Sequence, residues 1–158
     1  MDEKTRQELI EKYKMGYSVV ADALVGITEA ELDARPAPNK WSAREIVHHL
    51  ADSEMTAAIR LRLLLAVDNP SIHGYDQDVF ARRLHYDRRI EASLDAFKAS
   101  RRTTAEILDC MSEDDWRREG THSESGRYTI ERWLEIYSTH AHKHAEQILV
   151  ARDSAKAS

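Results

Sequence analysis

The chain has 158 residues, of which 32% are charged and 42% hydrophobic, and its formal net charge is −5. This composition is typical of a soluble globular protein, and the length suits a single domain, which we expect to span residues 1–158. Net negative charge argues against nucleic acid as a partner, because phosphate binding needs concentrated positive charge. No apolar run has the length of a signal peptide or a membrane span. We therefore expect a cytoplasmic protein with no membrane partner.

Apolar residues recur every three or four positions, while glycine and proline are scarce, and this pattern predicts helices. A first helix is predicted from about Lys4 to Gly26. A short helical turn is predicted after it, because Thr28 and Glu31 have the spacing of a capping box. The stretch from Arg35 to Lys40 contains two prolines and breaks the helix.

The second long helix has the clearest start in the sequence. Ser42 and Glu45 have capping-box spacing, so the serine hydroxyl and the glutamate carboxylate can satisfy each other's backbone N–H groups. The helix is predicted to run to about Val67, where an Asp-Asn-Pro sequence stops it.

Two more long helices follow. The third is predicted from about Asp87 to Cys110, after a long connection over residues 68–86. Residues 120–127 are polar and contain glycine, which indicates a loop. A fourth helix is predicted to begin after an N-cap at Thr129. The tail from Asp153 is expected to fray. Four long helices predict an all-α bundle, an architecture whose core commonly hosts metal sites between facing helices.

The candidate functional residues are histidines in the second and fourth helices. His140 and His144 are four residues apart, so a helix places both imidazoles on one face, as in a two-residue metal clamp. His142 points away from this face and is predicted to be a solvated surface residue. His49 flanks the apolar face of the second helix, whereas His48 turns to the opposite side. Three histidines that converge in this way match a catalytic zinc-type site with open positions.

Other interpretations fit the same spacing. A histidine pair at helical spacing is more often structural or on the surface, and a lone histidine beside an apolar face is usually a core residue with its own hydrogen bonds. Asp52 lies about one turn after His49 and is either an orienting or proton-accepting group or an ordinary exposed acid. Glu54 lies further round the same helix and is a second candidate proton acceptor.

Several stretches resemble one known family. The stretch Lys40–Met55 closely resembles the second-helix signature of the DinB-like superfamily, in particular its YfiT-type branch of metal-dependent hydrolases and related bacillithiol transferases. Residues 68–72, the pair Tyr75 and Asp76, and the stretch from Tyr137 to His144 are similar to the connection and last-helix motif of that branch. The resemblance covers about residues 38–150.

This resemblance implies a four-helix bundle in up-down-down-up order and a homodimer. It implies a divalent metal ion, nickel or zinc, held by the motif-matched residues His49, His140 and His144. Relatives often have histidine where this chain has Glu54 and Gln147. These two differences leave the three expected ligands intact but affect which substrate is expected.

The sequence leaves two classes of function open. In the first, a metal-dependent enzyme acts on a small molecule. As a hydrolase it activates water, with Asp52 or Glu54 as proton acceptor, and as an S-transferase it activates a low-molecular-weight thiol. In the second, a non-catalytic, stress-associated bundle protein uses the same histidines to bind a structural metal. A structural site is usually closed by a fourth protein ligand, for which Asp52 is the obvious candidate.

Overall fold

Long helices make up most of the computed structural model, which describes residues 1–156. In chain order the elements are α1 (Glu3–Leu24), α2 (Glu29–Asp33), α3 (Ala43–Ala66), β1 (Ser71–Ile72), α4 (Gln77–Arg83), α5 (Glu91–Asp109), α6 (Glu113–Trp116), β2 (Glu119–His122), β3 (Gly126–Thr129) and α7 (Ile130–Ser154). The predicted all-α four-helix bundle is confirmed by the four long helices α1, α3, α5 and α7.

At three helix starts the structure forms the side-chain cap that the sequence predicts. Thr28 and Ser42 each form the predicted capping box, at the starts of α2 and α3. The hydroxyl of Thr129 accepts a hydrogen bond from the Arg132 N–H at the start of α7. These three predictions are confirmed, because capping depends on residues that are close in sequence.

The structure differs from the prediction in the connections. Helix α5 begins at Glu91 rather than near Asp87, and no side chain caps it. The long connection holds β1 and α4, and the segment predicted as a loop over residues 120–127 contributes to the β2–β3 hairpin. These strands are two to four residues long and include few apolar side chains, so they lack the alternating pattern that reveals longer strands. Strand β2 lies between β1, to which it is parallel, and β3, to which it is antiparallel.

The long helices have the up-down-down-up order that the resemblance implied. Helices α1 and α7 are parallel, because the Met1 amine contacts Glu131 near their starts and Arg152 donates to the Val25 carbonyl near their ends. Helices α3 and α5 are also parallel, as shown by the contacts of His48 with Ser93 and of Arg62 with Thr104. Two parallel helices need a return connection along the bundle, which explains the length of the segment between α3 and α5.

Apolar side chains fill the bundle in two clusters. One cluster includes Val20, Ile46, Leu50, Phe97 and Ile148, and the other includes Ile10, Leu61, Leu64, Trp133 and Leu134. Because α3 and α7 are antiparallel, the first turns of α3 lie beside the second half of α7, which brings their histidines together. No helix in residues 1–156 is both long enough and apolar enough to span a bilayer.

Candidate metal centre

Three imidazoles meet between α3 and α7. The Nε2 atom of His140 lies 3.3 Å from Nε2 of His49 and 3.2 Å from Nε2 of His144. One ligand atom from each ring lies within 4.8 Å of the other two, and within residues 1–156 this group contains no carboxylate and no fourth histidine. The structure therefore brings together the three histidines for which the sequence predicted a common site.

The spacing of these nitrogens suits a metal ion. Zinc binds imidazole nitrogen at about 2.0–2.1 Å, so two imidazoles on one tetrahedral ion have nitrogens roughly 3.3 Å apart. The two Nε2–Nε2 distances, 3.3 and 3.2 Å, are close to this value. Three neutral imidazoles are also a suitable donor set for zinc or nickel.

Neighbouring side chains orient the rings. The Nδ1–H of His144 donates a hydrogen bond of 2.8 Å to Oε1 of Gln147, so the lone pair of a neutral His144 lies on Nε2. The ring of Trp41 packs against the His49 ring with 4.8 Å between centroids. Nδ1 of His49 is buried and has no hydrogen-bond partner within residues 1–156. The rings of His49 and His144 are thus held with their Nε2 atoms facing Nε2 of His140.

Burial keeps these imidazoles neutral. Burial and then the nearby His144 lower the pKa of His49 to about 3. Burial and the two neighbouring rings also lower the pKa of His140, and burial lowers that of His144 although the hydrogen bond to Gln147 opposes the shift. A histidine must lose its second proton to bind a metal, so these shifts favour ligand binding at neutral pH.

Asp52 lies about one helical turn after His49 and is partly buried. Its Oδ2 accepts a hydrogen bond of 2.6 Å from the hydroxyl of Tyr86, which lies in the connection between α4 and α5. This bond raises the pKa of Tyr86, after the larger effect of burial, because a nearby carboxylate opposes ionisation of the phenol. Asp52 is therefore held in place on the helix that carries His49, but it is not part of the group of three imidazoles.

Glu54 lies elsewhere, in the centre of the bundle. Its Oε1 accepts a hydrogen bond from the Tyr13 hydroxyl, and its Oε2 forms an ion pair with Arg101. Both carboxylate oxygens are thus occupied by protein groups, and the side chain is almost completely buried.

The other two histidines of these helices make separate contacts. His48 is fully buried, where its Nε2–H donates to the Arg88 carbonyl and its Nδ1 accepts from the Ser93 hydroxyl. His142 is partly buried, and its Nε2–H donates to the Lys12 carbonyl. Neither ring belongs to the metal-ligating group.

The sequence did not predict the contacts of Gln147 and Trp41 with the histidines. Gln147 follows His144 by three residues, a spacing that places two side chains in contact on a helix, and this spacing is the signal that could have identified the pair. No local signal pairs Trp41 with His49, because the contact depends on how the chain enters α3.

Comparison with known proteins places the chain in a family. A family model described as the DinB superfamily matches residues 13–148. A protein of Oceanobacillus iheyensis named as a candidate metal-dependent hydrolase is 32% identical over 130 residues, which are 82% of this chain and 76% of the relative. A protein of Halalkalibacterium halodurans with the same description is 25% identical over 124 residues, which are 78% of this chain and 72% of the relative.

A solved structure has the same fold. YfiT from Bacillus subtilis, described as a probable metal-dependent hydrolase with an unusual four-helix bundle topology, superposes with a TM-score of 0.88 at 23% identity, and the match covers 99% of this chain and 89% of that one. The family model covers most of the chain, and together with the 32% identical relative it shows that this chain belongs to the DinB superfamily.

Proposed function

We propose that this chain is a metal-dependent enzyme in which His49, His140 and His144 hold one divalent ion. The observation that carries the proposal is the convergence of three buried or partly buried Nε2 atoms at the spacing that a metal ion requires. A bound ion supplies Lewis-acid chemistry, which lowers the pKa of a water or thiol in its open positions. Nickel and zinc are the ions we propose, since both accept imidazole ligands.

An open site supports a catalytic role over a structural one. Structural zinc sites are closed by four protein ligands, whereas catalytic sites have three and leave a position for water or substrate. Within residues 1–156 the group has three protein ligands, and the Asp52 carboxylate is engaged by Tyr86. The non-catalytic alternative requires a fourth protein ligand, which this arrangement does not supply.

The protein residues contribute orientation, exclusion of water and proton transfer. Gln147 and Trp41 orient the His144 and His49 rings, and the burial of His49 keeps bulk water from that side of the site. We propose Asp52 as the proton acceptor, because it lies on the same helix as His49 and Tyr86 fixes its position. Both oxygens of Glu54, the other predicted acceptor, are already engaged in the core.

Hydrolysis of an ester or amide of a small molecule is the reaction we propose first, in keeping with the description of the relatives. Activation of a low-molecular-weight thiol is the second candidate. It is favoured by the lack of a carboxylate in the group of imidazoles, because a divalent ion held by the three histidines would lower the pKa of a thiol enough for solvent to take its proton without an adjacent base.

A turnover assay tests the proposed function. Chelator-treated protein and protein reloaded with zinc or nickel are assayed on a panel of esters and amides, and on electrophiles with a low-molecular-weight thiol. We expect activity only in the reloaded protein, its loss in His144→Ala, and its retention in His142→Ala, a matched change two residues away on the same helix. Activity that survives both chelation and His144→Ala would contradict the proposal.

Replacing the proton acceptor gives a separate prediction. Asp52→Asn should lower kcat by about 10²–10⁴-fold, the usual contribution of a general base, while the metal content stays the same. Steady-state kinetics and elemental analysis of the same preparation measure both quantities. An unchanged kcat would show that Asp52 does not accept the proton.

We also propose a homodimer. The side chains of Met55, Ile59 and Leu63 are exposed and apolar, and their four-residue spacing places them along one side of α3, which the exposed Val67 follows. A second copy of the chain would remove this surface from water. Sedimentation equilibrium should give twice the mass of the chain, and Ile59→Glu should reduce it to that of one chain.

A further inference from the structure

Within the described residues, Arg60 lacks the carboxylate partner that the most buried arginines of this protein have. Arg6, Arg44 and Arg101 each form an ion pair with a carboxylate. Arg60 is also partly buried, but it has no carboxylate within ion-pair distance in residues 1–156. Its Nη1 donates to the Tyr137 hydroxyl at 3.0 Å and its Nη2 donates to the His73 carbonyl at 2.6 Å.

Two buried polar atoms of this cluster, one in the guanidinium itself, lack a well-formed hydrogen bond within residues 1–156. The Nε–H of Arg60 is buried and donates to no group in the described chain. The Tyr128 hydroxyl, whose residue is only 3% exposed, also has no well-formed hydrogen bond within the described chain, although the neighbouring Tyr137 hydroxyl interacts with it and, after burial, raises its pKa. A buried polar group without a hydrogen bond costs about 1–3 kcal/mol. Both groups can donate a hydrogen bond, so each can bind an acceptor oxygen.

This cluster adjoins the metal centre. Arg60 lies about three helical turns after His49, so the two residues share a face of α3. The Tyr137 ring links the two places, since its hydroxyl accepts from Arg60 and its centroid is 6.1 Å from that of His140. The ring of Tyr75 is also near, with its centroid 5.9 Å from the Arg60 guanidinium carbon.

We propose that Arg60, together with the hydroxyls of Tyr128 and Tyr137, binds a carboxylate of the small-molecule substrate whose reacting group lies at the three-histidine site. This inference rests on the proposed function, because it assigns part of the same substrate. Guanidinium and carboxylate are planar groups that match in a two-point hydrogen bond, and a charged acceptor roughly doubles the strength of each bond.

The surrounding charges favour a single negative charge on the ligand. The carboxylates of Asp52 and Glu124 lie close enough to affect the pKa values of Tyr75 and His122, respectively. Burial and Arg60 lower the pKa of His122, so this imidazole adds no second positive charge at neutral pH. One guanidinium therefore balances one carboxylate, whereas a doubly charged phosphate monoester would keep one charge unbalanced.

A titration without metal tests the subsite by itself. Chelator-treated, nitrogen-15-labelled protein is titrated with propionate and with propionamide at constant ionic strength. We expect propionate, but not propionamide, to shift the Nε–H resonance of Arg60 and the backbone amides of Tyr128 and His122. The amide shifts should persist in Arg62→Met, a matched arginine on the side of α3 that faces α5, and disappear in Arg60→Met.

A second titration tests the link to the metal. Protein loaded with cobalt(II) is titrated with mercaptoalkanoic acids of increasing length and with the matching amides, and thiolate binding is followed by visible absorption. At one chain length the acid should bind about tenfold tighter than the amide, as expected for charge-assisted hydrogen bonds. This preference should be lost in Arg60→Met, reduced in Arg60→Lys, which keeps the charge without the planar group, and unchanged in Arg62→Met.

The two titrations separate the possible failures. Equal binding of acid and amide at every length, or a preference that Arg60→Met leaves intact, overturns the subsite. If the protein takes up no cobalt, the proposed function fails, and the propionate titration still decides whether Arg60 binds a carboxylate. If Arg60→Met does not fold, Arg60→Lys provides the comparison, since a preference that this variant retains in full also overturns the proposal.

Discussion

The second nitrogen of an imidazole decides whether the first can bind a metal. In His144, Nδ1 is bound to Gln147, which fixes the neutral tautomer and leaves Nε2 facing His140. Such outer partners typically change metal affinity by about 10–100-fold. The contact is local, because the two side chains lie on neighbouring turns of α7.

Gln147→Ala should therefore weaken metal binding by roughly tenfold without removing a ligand. Gln147→Glu should retain or increase the affinity, because a carboxylate is a stronger acceptor for Nδ1–H. Competition with a chromophoric chelator measures both affinities, and Glu146→Ala, at an exposed neighbouring position, is the matched control. An affinity that Gln147→Ala leaves unchanged would show that the hydrogen bond does not orient the ligand.

Helical phase explains which site residues can be found from the sequence. The four-residue spacing of His140 and His144 and the position of His49 beside an apolar face are local properties, and the structure brings these three residues together. The environment of Glu54 is not local, since Arg101 and Tyr13 lie on two other helices. The sequence of α3 shows only that the residue one turn after Glu54 cannot form an ion pair with it.

At the scale of the elements, the capping box of α2 makes the stability of the fold depend on pH. In α2 the Glu31 carboxylate accepts from the backbone N–H of Thr28 and pairs with Arg152 of α7. The Thr28 hydrogen bond is the largest cause that lowers the pKa of Glu31, and Arg152 adds to it. A lowered folded-state pKa stabilises the protein at pH values above the ordinary carboxyl pKa of about 4.3, and this stability is lost as the pH falls through the folded-state value.

Glu31→Gln should therefore lower the free energy of unfolding at about pH 7 and have a smaller effect at an acidic pH below the folded-state pKa of Glu31, where the native carboxyl is protonated. Urea unfolding of the wild type, Glu31→Gln and the control Glu146→Gln at both pH values measures this difference. A difference that is equally large at both pH values would mean that the charge of Glu31 does not stabilise the fold.

The connections were harder to predict than the helices. The start of α5 at Glu91 has no side-chain cap, and the turn before it is held by the hydrogen bond from His48 to the Arg88 carbonyl. Strand β1 pairs with β2, which is about fifty residues away along the chain, so neither strand has a local signal. Tertiary contacts place these elements, and one sequence does not reveal them.

At the scale of the whole molecule, a buried polar network joins the four long helices. Arg101 of α5 pairs with Glu54 of α3 and donates to the backbone carbonyls of Tyr13 in α1 and Tyr137 in α7. The Tyr13 hydroxyl also donates to Glu54. Gly16 makes room for the guanidinium, because a Cβ atom at this position would overlap it. The network therefore forms only when all four long helices are packed together.

Breaking this network should destabilise the bundle. Glu54→Gln leaves Arg101 buried without its counter-ion and should cost about 3–5 kcal/mol, whereas the double replacement of Glu54 and Arg101 by methionine should cost much less. Urea unfolding of the single and double variants measures the two costs. A double variant as unstable as Glu54→Gln would show that the lost hydrogen bonds to the backbone matter more than the unpaired charge.

The central claim is that three histidines from two distant segments bind one metal ion. Its most direct test is equilibrium titration of chelator-treated protein with zinc and nickel, for the wild type and for His49→Ala, His140→Ala, His144→Ala and His142→Ala. We predict one ion per chain in the wild type and in His142→Ala, and a loss in affinity of at least about 100-fold in each of the other three variants, more than an outer partner contributes. A wild-type protein that binds no ion, or binding that His49→Ala leaves unchanged, would contradict the claim.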